Sequence, residues 1–219
     1  MATHLSHMAN RTLSLDGREQ QLVSEGRLKL SLCSGSSSTT TATDVASHFA
    51  ILPSVMASLE AERLRLEASA LAFDTRPDSV DRQPAHELYI VKDGALQPGA
   101  ARLSALMQPS VDRLTHLANE LHPQVCRGQC TACTSLMRRY LPGERRGHHE
   151  HIDGHAAVTA IVDLTSAGED YEGGLFVSDL RVRRFLPLRR GDAVLRRSWR
   201  RGPGSSEGSR RSSTARSAA

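Results

Sequence analysis

Residues 145–164 read RRGHHEHIDGHAAVTAIVDL, and four histidines and two carboxylates fall in the eight residues from His148 to His155. An apolar run follows directly. Imidazole nitrogen and carboxylate oxygen together suit a borderline or hard divalent metal. The spacing of His151-Ile152-Asp153 matters most. On a strand, residues i and i+2 project to the same side, so both side chains can reach one ion. With a distant second histidine, such a pair makes the two-histidine, one-carboxylate triad of non-haem Fe(II) oxygenases. For an isolated H-x-D, a solvated polar turn is the simpler expectation. His148, His149 and His155 read as surface residues or as partners that orient the ligands.

A second candidate is CRGQCTAC, which places Cys126, Cys130 and Cys133 close together. Three such thiolates could bind an iron–sulfur cluster or supply three ligands of a zinc. The spacing matches the cluster motif of radical S-adenosylmethionine enzymes, which need a series of βα units after it. Residues 134–219 are mostly strand-like, so reduced thiols or a labile disulfide are the expected state.

The elements that must position these groups are legible in outline. RLKLSLC, from Arg27 to Cys33, alternates briefly, and a Ser/Thr-rich run follows it that reads as a linker. From Val45 to Phe73 the pattern is helical, interrupted at Pro53, with Val55, Leu59, Leu66 and Leu71 expected to pack on a sheet. HELYIVKDG reads as a strand ending at an Asp93-Gly94 turn. A second helix is expected over about Gly99 to Leu121. Its apolar face would be Leu103, Leu106, Met107, Val111, Leu114, Leu117 and Leu121, with Pro109 bending or dividing it. After His122-Pro123, short β-rich runs (SLMRRYLPG, AAVTAIVDLT, GGLFV, RRFLPL, GDAVLRR) predict an antiparallel sandwich or barrel, and the whole an α+β fold.

Charge excludes some functions. The formal charge is +4, but residues 196–219 hold seven arginines and one acid, so that segment carries +6 and residues 1–195 carry −2. The body therefore lacks an electrostatic footprint for nucleic acid, which is not expected as a partner. The Arg/Ser-rich tail could bind RNA or a membrane surface, but a solvated, disordered tail is the simpler expectation. No apolar run is long enough for a transmembrane helix. Four cysteines and no secretory leader pattern predict a cytoplasmic protein.

The motifs in order resemble the core of the prolyl 4-hydroxylase-like family of 2-oxoglutarate- and Fe(II)-dependent dioxygenases. Arg138-Arg139-Tyr140-Leu141-Pro142-Gly143 matches the family's Arg-x-Tyr-x-x-Gly strand end, and His151 and Asp153 its H-x-D. Val158-Thr159-Ala160-Ile161-Val162 and Leu164 match the next strand. Tyr171-Glu172-Gly173-Gly174-Leu175 matches the turn, and Gly191-Asp192-Ala193-Val194 the later Gly-Asp-Ala. The match runs from about residue 134 to 195.

The resemblance implies a double-stranded β-helix (jelly roll) with N-terminal supporting helices and its last strands missing. It implies Fe(II) on His151 and Asp153, with Tyr140 near the co-substrate 2-oxoglutarate. The implied activity is oxidative decarboxylation of 2-oxoglutarate coupled to hydroxylation of a protein or small-molecule C–H, supported by ascorbate. The implied organisation has four parts. Residues 1–43 would be a flexible segment, 44–124 a helical support with one strand, 125–195 a partial dioxygenase core, and 196–219 a tail.

This chain departs from the family where a distal histidine and a 2-oxoglutarate-anchoring Arg or Lys should follow Gly-Asp-Ala. No histidine occurs after His155, and RRSWRRGPGSSEGSRRSSTARSAA stands in that place. A frame shift, unspliced intron or alternative exon just after GDAVL is the expected origin. The expectation is an impaired hydroxylase with an exposed sheet edge, the alternative a catalytically inactive dioxygenase-fold binding module.

Overall fold

A computed structural model of the chain describes residues 25–34, 49–78, 80–141, 151, 153, 155–178 and 183–198. The Ser/Thr-rich linker, His148, His149, Pro142, Gly143 and residues 199–219 of the tail lie outside them.

Alternation in EGRLKLSLCS makes the first strand, β1 (Glu25–Ser34). Leu28, Leu30 and Leu32 are fully buried on one side, while Arg27, Lys29 and Ser31 occupy the other. A flexible segment over 1–43 is therefore corrected at residues 25–34. Three leucines in one phase bury too much apolar surface to stay in water. β2 (Phe49–Leu52) comes next and ends at Pro53, where helix was expected from Val45. Pairing with a later strand decides that short run.

Helix α1 (Ser58–Ser69) begins where the Ala57 N–H donates to Glu60 Oε2 at 3.0 Å. Its buried face is Ala61, Leu64 and Ala68, whereas Leu59 and Leu66 remain 62% and 59% exposed. The expected leucine stripe is thus only partly the packing face. Small alanines let α1 approach its neighbour closely, and the leucines one step round the helix face outward.

β3 (His86–Lys92) turns through Asp93 and Gly94, both at positive φ, into β4 (Ala95–Leu96). Helix α2 (Ala101–Leu121) buries Leu103, Met107, Val111 and Leu114 as its spacing predicts, and Ala118 with them. Leu121, expected on that face, is instead exposed at the helix end. Pro109 does not divide α2. Pro109 and Ala105, whose carbonyl loses its partner, are both exposed, so the forfeited bond falls on the solvent side. The short α3 (Pro123–Cys126) leads into β5 (Cys130–Tyr140). Four strands complete the fold: β6 (Val158–Asp163), β7 (Leu175–Ser178), β8 (Arg183–Leu186) and β9 (Ala193–Arg197).

The architecture is α+β. Among the described residues seven strands form one sheet in the order β2-β9-β6-β1-β5-β3-β4, with every neighbouring pair antiparallel. β1 lies inside this sheet, between β5 and β6, so no edge is left open there. The main core packs the leucines of β1, Val158, Ala160 and Val162 of β6, and Ala193 and Leu195 of β9 with the buried faces of α1 and α2. On the opposite face the β7–β8 hairpin packs Leu175, Val177 and Leu186 against Val194, with Ile161 and Phe49 beside them. β9 continues to Arg197, two residues past the expected tail boundary, because Phe49 and Ala50 of β2 pair with Arg196 and Leu195.

The Gly-Asp-Ala motif has a structural task here. Gly191 has φ +89°, and a Cβ there would run into the Met56 carbonyl. Asp192 accepts from the Ser54 N–H at 2.9 Å and the Arg189 N–H at 3.1 Å, tying the approach to α1 to the turn before β9.

Candidate metal centre

β1 supplies the floor. Its polar phase sets Arg27 opposite Asp163, Lys29 opposite Ile161 and Ser31 opposite Thr159 on β6. Directly opposite residues of an antiparallel pair share a face, so these side chains line the sheet side turned away from the helices. His151 and Asp153 lie just before β6. The connection is held by the Ala156 N–H donating to the Asp153 carbonyl at 3.1 Å and the Ala157 N–H to the Leu32 carbonyl at 2.8 Å.

The two residues expected as ligands do come together, with His151 Nε2 3.5 Å from Asp153 Oδ1. That same Oδ1 accepts from Lys29 Nζ at 2.6 Å, and Oδ2 accepts from Thr159 Oγ1 at 2.9 Å. Asp153 is largely buried, which by itself would raise its pKa. His151, Lys29 and Thr159 outweigh that and hold the carboxyl well below the usual carboxylate range. His155, expected as a neighbour, is exposed and places Nε2 3.1 Å from Ser31 Oγ. Arg196 Nη1 donates to the His151 carbonyl at 3.4 Å.

No protein-family model, curated protein or solved structure matches the chain. Its site is therefore read from its own geometry.

Tyr140, expected near 2-oxoglutarate, ends β5 beside Arg27, whose guanidinium carbon lies 5.8 Å from the centre of its ring. Arg27 Nε also donates to Asp163 Oδ1 at 2.8 Å, and Tyr171 Oη to Asp163 Oδ2 at 3.2 Å. Asp163 has no exposed side-chain surface; burial pushes its carboxyl above the ordinary value even though Arg27 and Tyr171 pull it down. Tyr140 thus belongs to an Arg27–Asp163–Tyr171 cluster, one step along the polar phase of β1 from Lys29 and Asp153.

The ferrous ion implied by the resemblance needs three protein ligands. His151 and Asp153 supply two, and among the described residues no group of three or more His, Cys, Asp or Glu could hold a metal. Both oxygens of Asp153 are already engaged, one of them by an ammonium. The described residues do not fit that ion.

The cysteines are not a metal site either. Cys126 is bonded to Cys130 and Cys133 to Cys33, so all four cysteines are paired. Of the two expected states, reduced thiols or a disulfide, the structure shows the second: β1 and β5 run side by side and bring Cys33 to Cys133, with a register irregularity at that point.

Reasoning from sequence missed Lys29, Arg27 and Asp163. A signal was present in RLKLSLC: with leucines in one phase, the cations in the other phase must line the opposite face of a sheet.

Proposed function

We propose that the chain is a prolyl 4-hydroxylase-like 2-oxoglutarate- and Fe(II)-dependent dioxygenase in family and fold, a double-stranded β-helix, whose hydroxylase turnover is impaired as the chain stands. The observation that carries this reading is the convergence of His151 and Asp153 on the sheet face that also bears Tyr140, Arg27 and the β7–β8 hairpin. An active relative would take a protein or small-molecule substrate with a C–H to hydroxylate, with 2-oxoglutarate as co-substrate and ascorbate as support. Impairment follows from ligand counting: two donors hold iron poorly, and the carboxylate donor is committed to Lys29.

The second reading, a catalytically inactive dioxygenase-fold binding module, draws on the Lys29–Asp153 pair. Among the described residues no helix is long and apolar enough to cross a membrane. Pairing of all four cysteines favours an oxidising compartment over the cytoplasmic location expected from sequence.

Succinate formation tests the activity. Purified chain with Fe(II), 2-oxoglutarate and ascorbate is expected to turn over no faster than its His151→Ala variant. Robust turnover that His151→Ala abolishes overturns the impairment. The damaged-enzyme reading has its own test at the locus: reading frames past codon 195 should contain a histidine followed by an Arg- or Lys-bearing strand. If none does, the damaged-enzyme reading fails and the inactive dioxygenase-fold module is left in its place.

A further inference from the structure

Lys29 stands where the chemistry of the site calls for a cation. A metal shared by His151 and Asp153 through the two atoms that face each other, Nε2 and Oδ1, would lie about 2.0–2.2 Å from each. Lys29 Nζ lies 2.6 Å from that Oδ1, so a metal bound there would sit within about 5 Å of the ammonium and be repelled by it. The backbone that carries this ammonium is held in place. Its residue lies on an interior strand of the sheet, between the fully buried Leu28 and Leu30, and hydrogen-bonded partners flank β1 on both sides. The carboxylate in turn has no idle oxygen, since Thr159 Oγ1 holds Oδ2 at 2.9 Å. The contact spans 124 residues of sequence, so it joins the N-terminal strand to the loop that enters β6.

We infer that the Lys29 ammonium is the resident cation of the His151/Asp153 pair, an organic counter-ion that ties β1 to the pre-β6 loop and makes this site independent of metal. The inference deepens the proposed function and rests on its reading of His151 and Asp153 as the family's ligand pair. It turns the site from a weak iron centre into an internal cross-link. The polar face of the sheet is then pre-organised by the chain alone.

Two measurements on the full chain test it. Titration of the wild type with Co(II) under anaerobic conditions, followed by visible absorption and calorimetry, should show no stoichiometric site that depends on His151. EDTA should leave Tm unchanged. Lys29→Met should expose Asp153 and increase Co(II) affinity at least ~10-fold, an increase lost again in Lys29→Met/Asp153→Asn.

In thermal unfolding, Lys29→Met and Asp153→Asn should each lower Tm by roughly 5 °C or more. The double variant should fall no lower than the worse single, because each single strands a partly buried partner. Micromolar 1:1 Co(II) binding by the wild type, abolished by His151→Ala, overturns the inference even if Lys29→Met fails to fold. So does strict additivity of the two Tm losses. Either result leaves the damaged-enzyme reading standing or falling on the reading-frame test alone.

Discussion

Asp170 shows how a single residue ties the segment after β6 to the turn before β9. Its carboxylate accepts from the Ser166 N–H at 2.7 Å and from Arg190 Nη2 at 2.9 Å. Partial burial works against the charge, but these donors hold the carboxyl below its ordinary value. A carboxyl with a depressed folded pKa contributes stability above its unfolded pKa and loses it as pH falls through the folded value. Asp163 has the opposite sign: its raised pKa makes its contribution full below the unfolded value and lost as pH rises through the folded one. Asp170 therefore makes the protein lose stability on acidification below about pH 4. Urea midpoints measured between pH 5 and pH 2 should fall for the wild type and fall less for Asp170→Asn. An equal fall in both would show that Asp170 has no part in the acid limb.

At the scale of elements, β1 decides most. Its apolar phase completes the core beneath the helices, and its polar phase carries Arg27 and Lys29 to the candidate site. Leu30 is fully buried there, with Ser135 of β5 and Ala160 of β6 as its cross-strand neighbours. Truncation to alanine removes its burial and leaves a cavity that the flanking strands cannot easily close. Leu30→Ala should cost about 2–5 kcal/mol in equilibrium unfolding, whereas Leu59→Ala on the exposed side of α1 should cost within about 0.5 kcal/mol. If the two losses are alike, β1 is not the core strand described.

This element also marks the limit of pattern reading. The alternation in RLKLSLC, the Asp93-Gly94 turn and the face of α2 were legible because each depends on local periodicity or on a local φ requirement. The outward leucines of α1 were not, since two helical faces offered apolar residues and only the neighbour chose between them. His151 and Asp153 were legible as a pair because they lie two residues apart. Their partner Lys29 lies 124 residues from Asp153, and no local pattern encodes that distance.

Over the whole molecule, the disulfides set the cross-linking. Cys33–Cys133 joins residues 100 apart in sequence, and Cys126–Cys130 closes a short loop. In the chain-entropy account a link of the first length restricts the unfolded ensemble by up to about 5 kcal/mol, and a short one restricts it much less. Peptide mapping without reductant should recover the Cys33–Cys133 and Cys126–Cys130 cross-links. Cys33→Ser should then lower unfolding stability more than Cys126→Ser does. Recovery of four free thiols, or of another pairing, would contradict the arrangement.

The sequence by itself determined the mixed α+β character, most strand and helix positions and the His151/Asp153 pair, because those depend on periodicity and on contacts between near neighbours. Only the tertiary structure decided that the N-terminal strand enters the middle of the sheet, that all four cysteines pair, and that Asp153 meets an ammonium. Each is a contact between segments far apart in the chain, selected by which buried surfaces and charges fit together once the sheet has formed.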